Sequence, residues 1–287
     1  MLVNQAVEGF VKYMELIDRS DETISGYEFA LKDFNNFLMV KHNSPVYVED
    51  IELEDLEDYL HFQKERGIAS SSRSRALYIL RSFYKYCCKK DICTKNLATL
   101  LEPVKVIQKE REFITEAEFE QLAETIKSPV IRTVVQTMFY TGGRVSEVIN
   151  LKLEDVDLEN KVLHIIEGKG NKDRDVPISD KLHLILTNYL ENIRDTEVEL
   201  GRFFATKGTG KVSKTYINVS IYDAVEELGW NKNISSHVLR HSFSTNLLDK
   251  GASVVSIQKL LGHASLAVTT RYLHQNMDQL SNAVNLL

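Results

Sequence analysis

Lys161-Val162-Leu163-His164-Ile165-Ile166-Glu167-Gly168-Lys169-Gly170-Asn171-Lys172-Asp173-Arg174-Asp175-Val176-Pro177-Ile178 is the stretch that separates this chain from an all-helical protein. Residues 161–166 have the apolar, β-branched composition of a strand. Residues 167–173 are polar and glycine-rich, as a turn requires. Residues 174–178 read as the return strand, with Pro177 at an edge or strand end because proline has no N–H to give a ladder. On both sides the pattern is helical. Upstream, Val130 to Tyr140 reads as a buried helix ended by Gly142-Gly143, glycine being the residue most easily placed in a left-handed cap. Downstream, helices punctuated by Gly251 and Gly262 run to residue 287, and residues 195–220 carry loop signals without a clear period. The fold class that follows is mainly α with a small antiparallel β-hairpin or meander.

The first hundred residues show no strand alternation and no internal repeat. Ile24, Tyr27, Leu31, Phe34 and Leu38 mark one apolar helix face, with Asp21 or Thr23 as its cap. The helical pattern stops at Leu101-Glu102-Pro103-Val104-Lys105, where Pro103 lacks a donor and biases its predecessor away from helix. The stretch to Arg111 has charge but little apolar period and reads as a linker. Thr115-Glu116-Ala117-Glu118 is then a capping box that opens a new domain. The expected organisation is a helical domain at 1–102, a linker at 103–111 and a second domain at 112–287. A chain of 287 residues is long enough for two domains of ordinary size.

The composition, 43% hydrophobic and 26% charged, is that of a soluble globular protein. Met1 to Asp18 lacks the features of a signal peptide, and no apolar run reaches the roughly 20 residues that span a bilayer. The expected location is cytoplasmic, with no membrane partner. Cys87, Cys88 and Cys93 are odd in number and have no Cys or His pair to complete a zinc site, so reduced thiols on a helix are expected. The formal net charge of −6 conceals an uneven distribution. Residues 49–58 hold seven acids in ten positions, whereas residues 64–95 hold nine bases against two acids. Arg81, Lys85 and Lys89 fall on one helical stripe, while Leu77, Leu80, Tyr84 and Cys87 fall on another that should be core. A solvated helix face and a DNA contact both fit this basic segment. On the second reading Arg73, Arg75, Arg81, Lys85 and Lys89 are the contact residues.

Six positions further along are candidates for chemistry. His237 and Arg240 share one face at a helix amino terminus opened by Ser235-Ser236, where free N–H groups, the helix dipole and a planar guanidinium all favour phosphate. Arg144 follows the double glycine and opens a helix with Glu147 one turn on, which is also the spacing of an ordinary ion pair. Lys169 sits at the hairpin tip between Gly168 and Gly170, which allow close approach of a ligand. A P-loop is excluded, because Gly170 follows Lys169 and Val212 follows Lys211, where that motif needs Ser or Thr. His263 and Tyr272 are unremarkable by themselves.

Taken in order, Thr141-Gly142-Gly143-Arg144-Val145-Ser146-Glu147, Gly168-Lys169-Gly170-Asn171-Lys172-Asp173-Arg174, His237-Val238-Leu239-Arg240-His241, Leu261-Gly262-His263 and Tyr272 resemble the tyrosine recombinase (phage integrase) family. The interval of nine residues from His263 to Tyr272 matches as well. Ser-Arg-Ala-Leu-Tyr-Ile-Leu-Arg-Ser-Phe-Tyr at 74–84 is similar to the family's helical core-binding domain. The size is most like the Xer branch or a small transposon-encoded resolvase. One departure is Gly143, where the family more often has leucine. The resemblance implies a two-domain C-shaped clamp, a helical core-binding domain plus an α+β catalytic domain, closing on double-stranded DNA at a specific recombination site. It implies Arg144 and Arg240 as phosphate clamps, Lys169 as general acid, His237 and His263 as active-site histidines, Tyr272 as nucleophile and Glu147 as supporting acid. It further implies a 3′-phosphotyrosyl intermediate, and exchange through a four-way junction in a homotetramer with two protomers active at a time. Accessory proteins are a possible further partner.

The chemistry agrees with those residue types. A phenol with pKa about 10 must lose its proton to attack, and the transition state places extra negative charge on phosphate oxygens. Two arginines and a histidine can supply what a metal supplies elsewhere, so metal-independent cleavage without a cofactor is expected. Met277, Leu280, Ala283, Val284 and Leu287 keep helical apolar spacing, either packing on their own domain or, by the resemblance, docking as a C-terminal tail into a neighbouring protomer. Two rival readings remain. Residues 236–273 also resemble a helix-turn-helix regulator without catalysis, for which Tyr272→Phe changes nothing. A topoisomerase IB-like strand-passing enzyme would use the same residues and relax supercoiled DNA without site preference.

Overall fold

Helices α1 (Val3–Leu16), α2 (Asp21–His42), α3 (Leu53–Glu65) and α4 (Ser70–Lys89) build the first of two units in the computed structural model, which describes residues 1–106, 112–166, 173–194, 201–206 and 210–262. The units divide at Lys109 and Glu110. In α2 the expected apolar face is buried at Ile24, Leu31, Phe34 and Leu38, with Tyr27 half-buried beside it. Its cap is neither Asp21 nor Thr23. Ser20 accepts from the Thr23 N–H, and Asp21 and Glu22 occupy the first turn, where negative charge offsets the dipole. The acidic run at 49–58 has a similar local purpose. Glu52 caps α3, and the buried Asp55 carboxylate takes the Glu52 N–H at 3.0 Å. In α4 Leu77, Leu80, Tyr84 and Cys87 are buried, and Phe83 meets Phe10 of α1 edge-on with centroids 5.8 Å apart.

The cysteines are not all on a helix, because α4 ends at Lys89 and Cys93 lies beyond it. The Cys88 and Cys93 sulfurs lie 3.4 Å apart. Burial pushes the Cys87 and Cys93 thiols up to about 12, which suppresses the reactive thiolate.

In the second unit, α5 (Glu116–Thr125), α6 (Pro129–Thr141) and α7 (Val145–Asn150) precede the sheet. The sheet is antiparallel in the order β1 (Val156–Asp157), β2 (Val162–Ile165), β3 (Arg174–Pro177). Leu163 pairs with Val176 and Ile165 with Arg174, so Leu163, Ile165 and Val176 turn into the core. Pro177 closes β3 at its end, as its missing donor requires. Helices α8 (Asp180–Asn188), α9 (Lys214–Glu227), α10 (Ser236–Asp249) and α11 (Val254–Leu261) follow. The mainly helical class with a small antiparallel sheet is thus the observed one. Helix α6 lies at the centre, packed against α5, α7, α8, α9 and α10, and buries Ile131, Val134, Val135, Met138 and Phe139.

Helix α9 begins inside the stretch that lacked a period. It buries Ile217, Ile221 and Ala224 but exposes Tyr216, Val219 and Tyr222, so apolar residues on both faces blur the 3.6-residue signal. No described helix is long and apolar enough to cross a membrane.

The capping box at Thr115 and Glu118 forms as expected, and its acids also tie α5 to later elements. Glu116 meets Lys250 at 2.5 Å, and Glu118 meets Lys232. Lys250 and Lys232 hold these two carboxyls below their usual value of 4.5. A depressed carboxylate contributes stability that is present above the unfolded pKa and is lost as pH falls through the lower folded one. Melting temperatures of wild type and Glu118→Gln should therefore differ at pH 7 and converge towards pH 3. A gap that persists at pH 3 would refute the assignment. Both carboxyls are about a third exposed, so the difference stays at or below roughly 1 kcal/mol.

Candidate active site

The loop between α6 and α7 organises the second unit's polar centre. Helix α6 ends in Gly142 with φ +64°, a left-handed cap. Thr141 turns its hydroxyl back to Thr137 O and accepts the Gly143 N–H at 3.2 Å. A Cβ on Gly142 would come within 2.4 Å of Phe243 and 2.7 Å of Leu261. Left-handed strain and overpacking thus act together on Gly142→Ala, which should cost about 2–4 kcal/mol in denaturant unfolding. A loss below the 1 kcal/mol range would show that the turn relaxes freely. A Cβ on Gly143 would meet Val148 Cγ2 at 2.7 Å, so the residue at which this chain departs from the family's leucine is held small by α7.

Arg144 is the N-cap residue of α7, and its backbone N–H donates to Glu147 Oε2 at 2.8 Å. Its guanidinium meets Glu147 Oε1 at 2.5 Å and remains one-third exposed. Glu147 itself is buried, with 4% of its side chain exposed. Two further guanidiniums surround it. Arg174, the first residue of β3, donates to Glu147 Oε2 at 2.7 Å and to Leu260 O at 2.8 Å. Arg240 on α10 stands 3.8 Å from Glu147 Oε2 and donates to Gly142 O at 2.7 Å and Leu261 O at 2.6 Å. A carboxylate this buried is stable only because cations and N–H donors replace its water.

The sequence-predicted residues therefore stand as follows. Arg144, Glu147 and Arg240 come together. His237 is exposed on the first turn of α10, one turn before the buried Arg240. Ser235 is the N-cap residue but makes no side-chain cap bond, and Asn218 of α9 takes the Ser236 N–H instead. Lys169, His263, Tyr272 and the apolar positions Met277, Leu280, Ala283, Val284 and Leu287 lie outside the described residues. Arg174 ends the Gly168–Arg174 motif in the sequence, where nothing in its spacing marks a buried arginine. Among the described residues, no three His, Cys, Asp or Glu side chains converge as a metal-ligand group.

On α4 the basic residues divide. Arg81 donates to Ala98 O at 3.0 Å and Leu101 O at 2.7 Å, holding the segment after the helix. Arg73 is half-buried and donates to Ile68 O. Arg75, Lys85 and Lys89 are exposed, with Lys89 3.4 Å from the Tyr13 hydroxyl.

Residues 112–279 match the Phage integrase family, and residues 7–94 match the Phage integrase N-terminal SAM-like domain. Tyrosine recombinase XerC of Lacticaseibacillus casei is 32% identical, over 96% of each chain. The Tn1549 transposon integrase, solved in complex with a circular intermediate DNA, superposes with a TM-score of 0.83 at 16% identity, over 99% of each chain. A lambda integrase tetramer bound to a Holliday junction superposes with a TM-score of 0.78 at 18% identity, over 92% of this chain and 78% of that one.

Proposed function

Because this chain belongs to the phage integrase family of tyrosine recombinases, we propose that it cuts and rejoins DNA at one specific site by attack of Tyr272 on the backbone phosphate. It is a DNA-binding site-specific recombinase, and the residue roles are as follows. The Tyr272 oxygen forms a bond to phosphorus while His237 takes the phenolic proton. The bond from phosphorus to the 5′-oxygen breaks, and Lys169 gives that oxygen its proton. The product is a 3′-phosphotyrosyl link, which retains the energy of the phosphodiester, so the strand rejoins without ATP. Arg144, Arg240 and His263 stabilise the charge on the non-bridging oxygens. Fixed donors of this kind are each worth about 2.7–4 kcal/mol in the transition state.

The observation that carries the reading is the placing of the Arg144 and Arg240 guanidiniums about one buried carboxylate, Glu147. Anchored forks need no reorganisation when phosphate arrives, and this is how an electrostatic site lowers a barrier without a metal. Residues 1–102 act as the core-type DNA-binding domain, with Arg75, Lys85 and Lys89 facing the backbone, residues 103–111 as linker, and residues 112–287 as the catalytic domain. Four copies assemble on a four-way junction through the C-terminal tail, in the cytoplasm.

Covalent capture tests the chemistry. The protein is mixed with fragmented genomic DNA in excess EDTA and denatured, and DNA still attached to protein is recovered and sequenced at its ends. Adducts clustered at one sequence are expected. Adducts scattered without preference would favour a topoisomerase-like enzyme, and binding without any adduct would favour a regulator.

A further inference from the structure

Taking as given that Lys169 protonates the leaving oxygen, we propose that Arg174 is a positioning residue that fixes the base of the Lys169 hairpin against the arginine–glutamate centre. Arg174 opens β3 and pairs across to Ile165, so these two residues bracket the segment that holds Lys169. Its guanidinium leaves β3 and reaches two other elements. On α7 it grips both oxygens of Glu147, at 2.7 and 3.4 Å. On α11 it caps Leu260 O at 2.8 Å, two residues before Gly262, where a cation also answers the helix dipole. Gly262 packs on it so closely that a Cβ there would come within 3.0 Å of the Arg174 side chain.

An arginine with only 7% of its side chain exposed is costly to bury, and such groups are held where their pairing is complete. Here one planar fork joins the hairpin base, the helix opened by Arg144 and the helix end that leads to His263. The three-stranded sheet seats Leu163, Ile165 and Val176 in the core, and Arg174 adds the polar tie at the end of the β2–β3 pair that leads to Lys169. A lysine donor misplaced by about 1 Å loses roughly 10²-fold in rate. Lysine at position 174 would keep the charge but could not grip two oxygens and a carbonyl in one plane.

The test uses the full chain and the site recovered by covalent capture, synthesised with oxygen or with sulfur as the bridging 5′ atom. A thiolate leaves without a proton donor, so a defect in proton delivery disappears on the sulfur substrate. Arg174→Gln should cleave the oxygen substrate about 10²-fold more slowly and recover to near the wild-type rate on sulfur, with Arg174→Lys intermediate. DNA binding and melting temperature identify any folding loss, and should Arg174→Gln not fold, Arg174→Lys carries the comparison. Equal slowing on both substrates, or no slowing on either, would overturn the proposal. Lys169→Ala run in parallel separates the two ideas. If sulfur rescues Lys169→Ala but not Arg174→Gln, the role of Arg174 alone fails. If sulfur does not rescue Lys169→Ala, the reading of Lys169 fails and takes this proposal with it.

Discussion

Tyr272→Phe should bind the recombination site as wild type does and form no covalent adduct, with strand cleavage reduced on the order of 10⁴–10⁶-fold, the scale set by loss of an essential nucleophile. The substitution keeps the ring and removes one oxygen, so packing is nearly unchanged while the attacking atom is gone. Water cannot substitute usefully, because it would not be held in line and would leave no phosphotyrosyl bond to reverse. The chain has twelve tyrosines, which makes the choice of Tyr272 a sharp claim. Several of the others are chemically unsuited. Burial pushes the Tyr59, Tyr84 and Tyr189 phenols upward, and Tyr59 also faces Asp33 at 2.9 Å. Burial and the Glu120 carboxylate push Tyr140 up to about 12. A phenol shifted in that direction is harder to ionise and so a poorer nucleophile at neutral pH. Adducts that survive in Tyr272→Phe would move the reaction to another tyrosine, and peptide mapping of the adduct would identify it.

The legible parts of the fold were those governed by local physics. The α6 helix and its glycine end, the capping box at Thr115, the buried face of α4 and strands β2 and β3 all follow from periodicity, caps and turn chemistry. The α2 cap is Ser20 and not Asp21 or Thr23, because all three are good capping types and the choice among them depends on where the chain bends. The first half of helix α9 shows no clear period in the sequence because its exposed Tyr216, Val219 and Tyr222 break the amphipathic signal on which sequence reading depends. The pairing of Arg144 with Glu147 was visible as an i, i+3 spacing. The approach of Arg174 and Arg240 to the same carboxylate was not, since it joins residues 27 positions apart in one case and reaches from α10 in the other. For Arg81 the structure shows a competing use. A helical stripe of bases suggests a polyanion, yet this guanidinium holds two carbonyls of its own unit, a role that spacing alone cannot distinguish.

Glu147→Gln should cost about 3–5 kcal/mol of stability and slow cleavage on the order of 10²–10³-fold. Wild-type Glu147 offers two charged oxygens to the guanidiniums of Arg144 and Arg174, to the Arg144 N–H and, at longer range, to Arg240. Glutamine keeps the volume but turns one oxygen into a donor, which then faces donors. The penalty therefore arises from cations left without their counter-charge in a buried place, a larger effect than the loss of one neutral hydrogen bond. Binding should respond differently from cleavage. Removing a negative charge beside Arg144 and Arg240 raises the local positive potential, so affinity for nonspecific DNA should be kept or slightly increased, with a steeper dependence on salt. Chemical denaturation, single-turnover cleavage of a nicked substrate and a salt titration of binding measure the three effects separately. If Glu147→Gln unfolds and cleaves as wild type does, the arginines are placed by their backbone anchors, Arg240 on Gly142 O and Leu261 O and Arg174 on Leu260 O. If stability falls while the cleavage rate of the folded fraction is unchanged, Glu147 holds the fold together without ordering the phosphate clamp. Loss of both, with nonspecific binding intact, is the outcome expected of a carboxylate that sets the position of the forks before DNA arrives.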